Sequence, residues 1–218
     1  DTIRRVVEGC YQIQQRHCQH HNVPWLPTKA QRSAQEMFKL IFDFKFTPPG
    51  RGLWMMGTEF VEERGSAAVQ NCAMISTREM SRDVTRPLTF TMDMLMLGVG
   101  VSGDTLGAGT VLVCGAEEGP QHVFQIPDTR EGWVEAWKRA IEAYFGGPSY
   151  VFDYTKLRPE GSPITGFGGT ASGPVPLREL LEKDTPRTLD PLIGQMITST
   201  AIVDLFNVTG KCVVAGNV

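Results

Sequence analysis

The 218-residue sequence has five cysteines (Cys10, Cys18, Cys72, Cys114 and Cys212) but no C-x-x-C pair, so it carries no local redox or zinc motif. Their number is odd and their spacing wide, which predicts reduced thiols in a cytoplasmic protein rather than a disulfide framework. No apolar run reaches the roughly 20 residues of a membrane helix. The best, MDMLMLGVGV, is short and contains Asp93. The opening DTIRRVVEGC lacks a basic region followed by an apolar core, so no secretory signal is read there. Positive charge is not in excess: 21 Lys and Arg against 24 Asp and Glu give a net charge of −3. That argues against a surface built to neutralise nucleic-acid phosphates, while leaving a small phosphorylated ligand open. No G-K-[ST] follows the glycine clusters, which excludes a P-loop.

What is present reads as α/β. Residues 1–22 form a polar helix, and a second helix starts at Thr28, with Gln31 as its capping-box partner. Ala34, Met37, Phe38 and Ile41 mark that helix's apolar face. TPPGRG, from Thr47 to Gly52, breaks it. Residues 69–75 make a short strand around Cys72, and a helix over about 86–97 leads into GVGVSG. A strand is expected at TVLVC. A helix capped by Asp128 with Glu131 carries Trp133, Trp137 and Ile141 at intervals of four. SYVFDY (Ser149–Tyr154) reads as a buried strand, and RPEGSPITGFGGTASGPVP as a long loop. A final helix is expected from Asp190 to Val208, with Leu192, Ile193, Met196, Ile197 and Val203 inward, and GKCVVAGNV as a strand entering a turn. Strands alternating with helices imply largely parallel pairing.

Three groups of residues carry chemistry in principle. HCQHH places His17, His20 and His21 beside Cys18, but no second ligand pair follows at zinc-finger spacing, and a solvated helix end accounts for it better. GVGVSGDTLGAG follows a helix and enters a strand, the reverse of a dinucleotide fingerprint. It is either a tight turn or bare backbone lying against a ligand. GFGGTASGP has the same ambiguity, with N–H groups able to cradle an anion. Cys72 alone reads as a core thiol, since a reactive one needs a partner or a depressed pKa. No Ser-His-Asp or Cys-His set is evident.

Taken in order, RRVVEG, TPPGRGLWMMGT, QNCAMIST, MDMLMLGVGV, IPDTREGW, RPEGSPITGFGGTASGPVPL and GKCVVAGNV resemble the adenosylcobalamin-dependent (class II) ribonucleotide reductases, above all the monomeric ribonucleoside-triphosphate reductases. The resemblance implies N-terminal helices (1–46) followed by the first half of a ten-stranded α/β barrel (47–218). It also implies the family's reaction: a thiyl radical takes the 3′-hydrogen of a ribonucleotide, and two further cysteines supply the reducing electrons. Their disulfide is reset by exchange with a thioredoxin-like dithiol. On this likeness Cys72 is one of those two cysteines. Asn71 would line the ribose pocket, Thr47 would lie near the base, and Gly98 and Val99 would present bare backbone beside the nucleoside. Ala215, Gly216, Asn217 and Val218 would open the loop that relays effector identity. The Gly103–Gly173 region would bind a deoxynucleoside triphosphate effector. Cys212 would be a core residue on a strand.

The radical-bearing Asn-x-Cys-x-Glu loop, the partner of Cys72 and the cobalamin-binding region are expected beyond Val218, in a missing C-terminal half. The isolated chain is accordingly expected to be inactive. No metal site, membrane or nucleic-acid partner is expected. Two alternatives remain: a non-catalytic nucleotide-binding module, or a fragment of a glycyl-radical enzyme on the same barrel.

Overall fold

The computed structural model describes residues 1–164 and 169–214, in two compact units, Asp1–Asn71 and Cys72–Val218.

The first unit is helical. α1 (Thr2–His20) packs on α2 (Pro27–Phe42) and on α3 (Gly50–Met55); α4 (Glu59–Arg64) and a 3₁₀ turn (Gly65–Val69) follow. α1 buries Val6, Val7 and Gly9. Gly9 is required by close approach, because a Cβ there would lie 2.5 Å from the Gly57 Cα. Arg5 donates to the Leu53 carbonyl at 2.6 Å and to the Met56 carbonyl, satisfying the exposed end of α3. The expected capping box at Thr28 is not formed. Leu26 is the N-cap and Pro27 occupies the first turn, where its missing N–H costs nothing and its fixed φ favours the helix. Ile41 is buried, but Phe38 is exposed, so only part of the expected apolar face is covered within this unit.

The second unit contains two parallel strand pairs. β1 (Cys72–Ile75) pairs with β2 (Gly100–Gly103), joined through α5 (Arg86–Met96). β3 (His122–Gln125) pairs with β4 (Tyr150–Asp153), joined through α6 (Arg130–Ala143). α7 (Val175–Glu179), a π-helical turn (Leu180–Asp184) and α8 (Thr185–Leu189) run on without a break, and α9 (Ser199–Val214) packs against α5, α7 and α8. The core is built around Trp137, Ile141, Met92, Leu180, Ile202 and Leu205, all fully buried. The parallel pairing expected from the alternation of elements is observed.

Several local expectations are corrected. The N-cap of α6 is Thr129, whose hydroxyl accepts from Gly132 N–H at 3.0 Å; Asp128 instead accepts from Arg158. TVLVC is not a strand. Its backbone zips onto residues 194–197, Val113 N–H to Gln195 at 2.9 Å and Ile197 N–H to Val111 at 2.9 Å, between glycines of positive φ at Gly109 and Gly115. Gly194 (φ +84°) interrupts the expected 190–208 helix, leaving a 3₁₀ turn at Asp190–Leu192 and exposing Ile193, Met196 and Val203. α9 then continues through the GKCVV segment, so Cys212 is a buried helix residue and not a strand residue. SYVFDY is a strand, but Val151 is 47% exposed, so it is not buried on both faces.

Candidate functional site

The β1–β2 ladder pairs Cys72 with Gly100, Ala73 with Val101, Met74 with Ser102 and Ile75 with Gly103. Alternation along a strand sends Cys72 and Met74 to one face and Ala73 and Ile75 to the other. Cys72 and Met74 are exposed, while Ala73 and Ile75 are partly covered. Cys72 is thus a surface thiol beside a residue with no side chain, not the core thiol that its composition alone favoured.

α5 delivers the chain to β2 through a Schellman cap. Gly98 has φ +73°, its N–H bonds the Leu95 carbonyl at 2.7 Å, and Val99 N–H bonds the Met94 carbonyl at 3.0 Å. The first glycine of GVGVSG is therefore a helix stop. The Val99 side chain is fully buried, which holds the backbone one residue before the partner of Cys72. Cys72, Gly98 and Val99 are brought together in this way. Thr47 and Asn71 are exposed residues of the first unit, Thr47 just ahead of α3 and Asn71 at the unit's end. Ala215, Gly216, Asn217 and Val218 lie outside the described residues, as do residues 165–168 of the glycine-rich loop.

At the far end of the same ladder the Asp104 carboxylate accepts from Thr77 N–H (2.9 Å), the Thr77 hydroxyl (2.8 Å) and Leu106 N–H (3.2 Å). Hydrogen bonds from the Ser76 hydroxyl, then from Thr77, hold this carboxyl far below the usual carboxylate range. No sequence motif marked Asp104; the only signal was its place directly after a glycine-rich strand.

A cavity of about 190 Å³ opens between the start of α6 and residues 157–164 and 171–173. Arg130 and Arg158 line it with Asp128, Trp133, Ser172 and Gly173. Arg130 is ion-paired with Asp93 of α5 and with Glu131 (2.8 Å); its Nε is buried and has no partner among the described residues. Arg158 donates through Nε to Asp128 at 2.8 Å. Both guanidinium groups are thus paired with carboxylates, and an anion entering the cavity would share their donors with Asp128, which lines it. The histidine cluster sits at the exposed end of α1, with His17 and His21 ring centroids 4.3 Å apart; among the described residues no group of three or more metal-ligating side chains is assembled. No helix among them is long and apolar enough to cross a membrane.

Residues 1–58 match the ribonucleotide reductase alpha domain, and residues 108–186 match the insertion domain of B12-dependent ribonucleotide reductase, which includes β3, α6, β4 and the cavity loop. An adenosylcobalamin-dependent ribonucleoside-triphosphate reductase of Euglena gracilis is 44% identical over all of this chain and 30% of its own length. A probable enzyme of the same name from Dictyostelium discoideum is 42% identical, over all of this chain and 31% of its own. The crystal structure of a B12-dependent (class II) ribonucleotide reductase superposes on 98% of this chain and 37% of its own, with a TM-score of 0.81 at 28% identity. The chain spans about a third of the length of these relatives, and over its whole length it is similar to the N-terminal part of adenosylcobalamin-dependent (class II) ribonucleotide reductases.

Proposed function

We propose that the chain is the N-terminal part of an enzyme reducing ribonucleoside triphosphates to deoxyribonucleotides, with Cys72 as one of two reducing cysteines. The observation that carries this is the exposed Cys72 thiol standing opposite Gly100 on the open face of β1–β2. A secondary hydroxyl leaves poorly by itself. Once a radical sits on the neighbouring carbon, the hydroxyl departs as water. Cys72 and a second thiol then give up two protons and two electrons and close to a disulfide, which a thioredoxin-like dithiol reopens by exchange. All five cysteines here are free, and the second thiol comes from the remainder of the enzyme. In this reading Asn71 backbone lines the ribose pocket, Thr47 lies near the base, and Gly98 and Val99 border the nucleoside.

The relatives' names carry adenosylcobalamin as cofactor. The cavities of about 190 to 570 Å³ lined by described residues are each smaller than a corrin with its adenosyl group, and in this reading the remainder of the enzyme supplies the cofactor's binding region. The B12-class matches also favour this reading over a glycyl-radical fragment. Replacing Cys72 by Ser in the complete enzyme should abolish turnover with a dithiol while leaving cobalamin binding intact; retained turnover overturns the assignment.

The Arg130–Arg158 cavity supports a second role, binding a deoxynucleoside triphosphate effector within the Gly103–Gly173 region. Titration calorimetry of the 218-residue chain with deoxynucleoside triphosphates tests it: binding lost in Arg158→Ala supports it, and unchanged binding removes it. Effector binding without any reductase activity after addition of the rest of the enzyme would favour the non-catalytic module.

A further inference from the structure

The β1–β2 ladder does little by itself to hold a thiol in place. Among the described residues it has two strands of four residues, and such a pair has little independent stability. Its side chains do not enforce a register, because β2 reads Gly-Val-Ser-Gly. Glycine-rich strands are prone to slip, and a slip of one residue sends every side chain to the opposite face. Here that would turn Cys72 inward and put Ala73 in its place.

β2 itself is anchored. A Cβ on Gly103 would lie 2.6 Å from the Phe206 ring of α9, so the strand end sits flush on the core. The next residue, Asp104, reaches across to β1 and takes both the N–H and the hydroxyl of Thr77. Thr77 is fully buried, and its hydroxyl oxygen accepts from Gly107 N–H at 2.9 Å. Gly107 has no room for a side chain, since a Cβ would meet the Thr77 carbonyl at 2.5 Å. A one-residue slip of β1 one way would bring Arg78, which has no hydroxyl, to this clamp; the other way would bring Ser76 there but put Ile75 where the Ser76 hydroxyl now serves Asp104, so either slip loses a bond.

We propose that Asp104 is a positioning residue: through Thr77 it fixes the register of β1 on β2, and so decides that Cys72 stands on the open face opposite Gly100. The functional consequence rests on the reading of Cys72 given above; the register itself does not.

The test compares two versions of the 218-residue chain, each with one accessible thiol: Cys10, Cys18 and Cys114 are replaced by Ser, and Cys212 stays buried. One keeps Cys72; the other carries Cys72→Ser with Ala73→Cys. The rate of reaction with 5,5′-dithiobis(2-nitrobenzoate) at position 72 divided by that at position 73 reports which face each occupies. The ratio should be well above one in the parent. It should fall toward one in Asp104→Ala and Thr77→Val, and persist in Thr77→Ser, which keeps the hydroxyl. Each charge-assisted hydrogen bond lost is expected to change the ratio by about tenfold. Circular dichroism checks that each variant is folded; if the alanine variant is not, Thr77→Val, which keeps the shape and loses only the hydroxyl, decides. An unchanged ratio in the folded variants overturns the proposal. Failure of the Cys72 assignment is read elsewhere, as retained turnover of Cys72→Ser in the complete enzyme, and it leaves this ratio untouched.

Discussion

Arg130, at the head of α6, is ion-paired with Asp93, midway along α5, with side-chain exposures of 22% and 32%. The pair ties the more enclosed of the two cavity arginines to the helix that delivers Gly98 and Val99. Asp93→Ala leaves a partly buried guanidinium short of one partner. Discounted for its solvent access, the loss should cost about 1–2 kcal/mol in urea unfolding.

The start of α6 offers a sharper comparison. Thr129→Ala should destabilise the chain by about 1 kcal/mol through loss of the N-cap. Asp128→Ala should leave the helix start intact and instead free Arg158. Thermal unfolding of the two variants separates them, and equal losses would contradict the capping assignment.

That pair of residues also shows what the sequence could and could not tell. The Trp133–Trp137–Ile141 spacing marks α6 without ambiguity, yet D-T-R-E offers two capping residues in succession. Only the backbone geometry decides between them, with Thr129 extended at φ −140° and ψ 158°. Likewise GKCVV has the β-branched look of a strand, but tertiary packing of Cys212 and Val213 in the core carries α9 through it. Helices 50–64 and 175–189 and the strand β3 went unread because proline, glycine and short length hide their periodicity. Of the candidate site residues, Cys72, Gly98 and Val99 rest on family likeness alone; Arg130, Arg158 and Asp104 make contacts 27 to 37 residues apart along the chain, which no local pattern encodes.

The five thiols should sort by burial. Cys72 and Cys114 are exposed, Cys10 and Cys18 partly covered, and Cys212 buried. Burial, reinforced by Asp184 and opposed by Lys211, pushes the Cys212 thiol up to about 12. With iodoacetamide at mild alkaline pH and mass-spectrometric readout, Cys72 and Cys114 should be alkylated first and Cys212 only on unfolding. Because its folded pKa is raised, the stability tied to neutral Cys212 is full below the ordinary thiol range and is lost as pH climbs through it toward about 12. Early labelling of Cys212 in folded chain would contradict its place in the core.

Acid should act at the opposite end of the scale. The Asp104 carboxyl is held low by the donors around it, so its contribution is complete above the unfolded value of about 3.9 and fades as pH falls below it. Asp104→Asn should therefore flatten the acid limb of a stability–pH curve measured below about pH 4. An unchanged acid limb would mean that the clamp carries no charge-dependent stability.

The π-helical turn at Leu180–Asp184 has a consequence for chain length. The Leu180 carbonyl takes both the N–H and, at 2.6 Å, the hydroxyl of Thr185, five residues on, immediately before Pro186. One residue more than an α-turn is wound in there, and it turns everything after it by about 100° about the helix axis. Leu189, four residues beyond Thr185, is fully buried in the core. The segment is thus counted as well as composed: deleting a single residue between 180 and 184 would restore regular pitch, swing Leu189 outward and misdirect the approach to α9. Substitutions that preserve the count would leave that path intact.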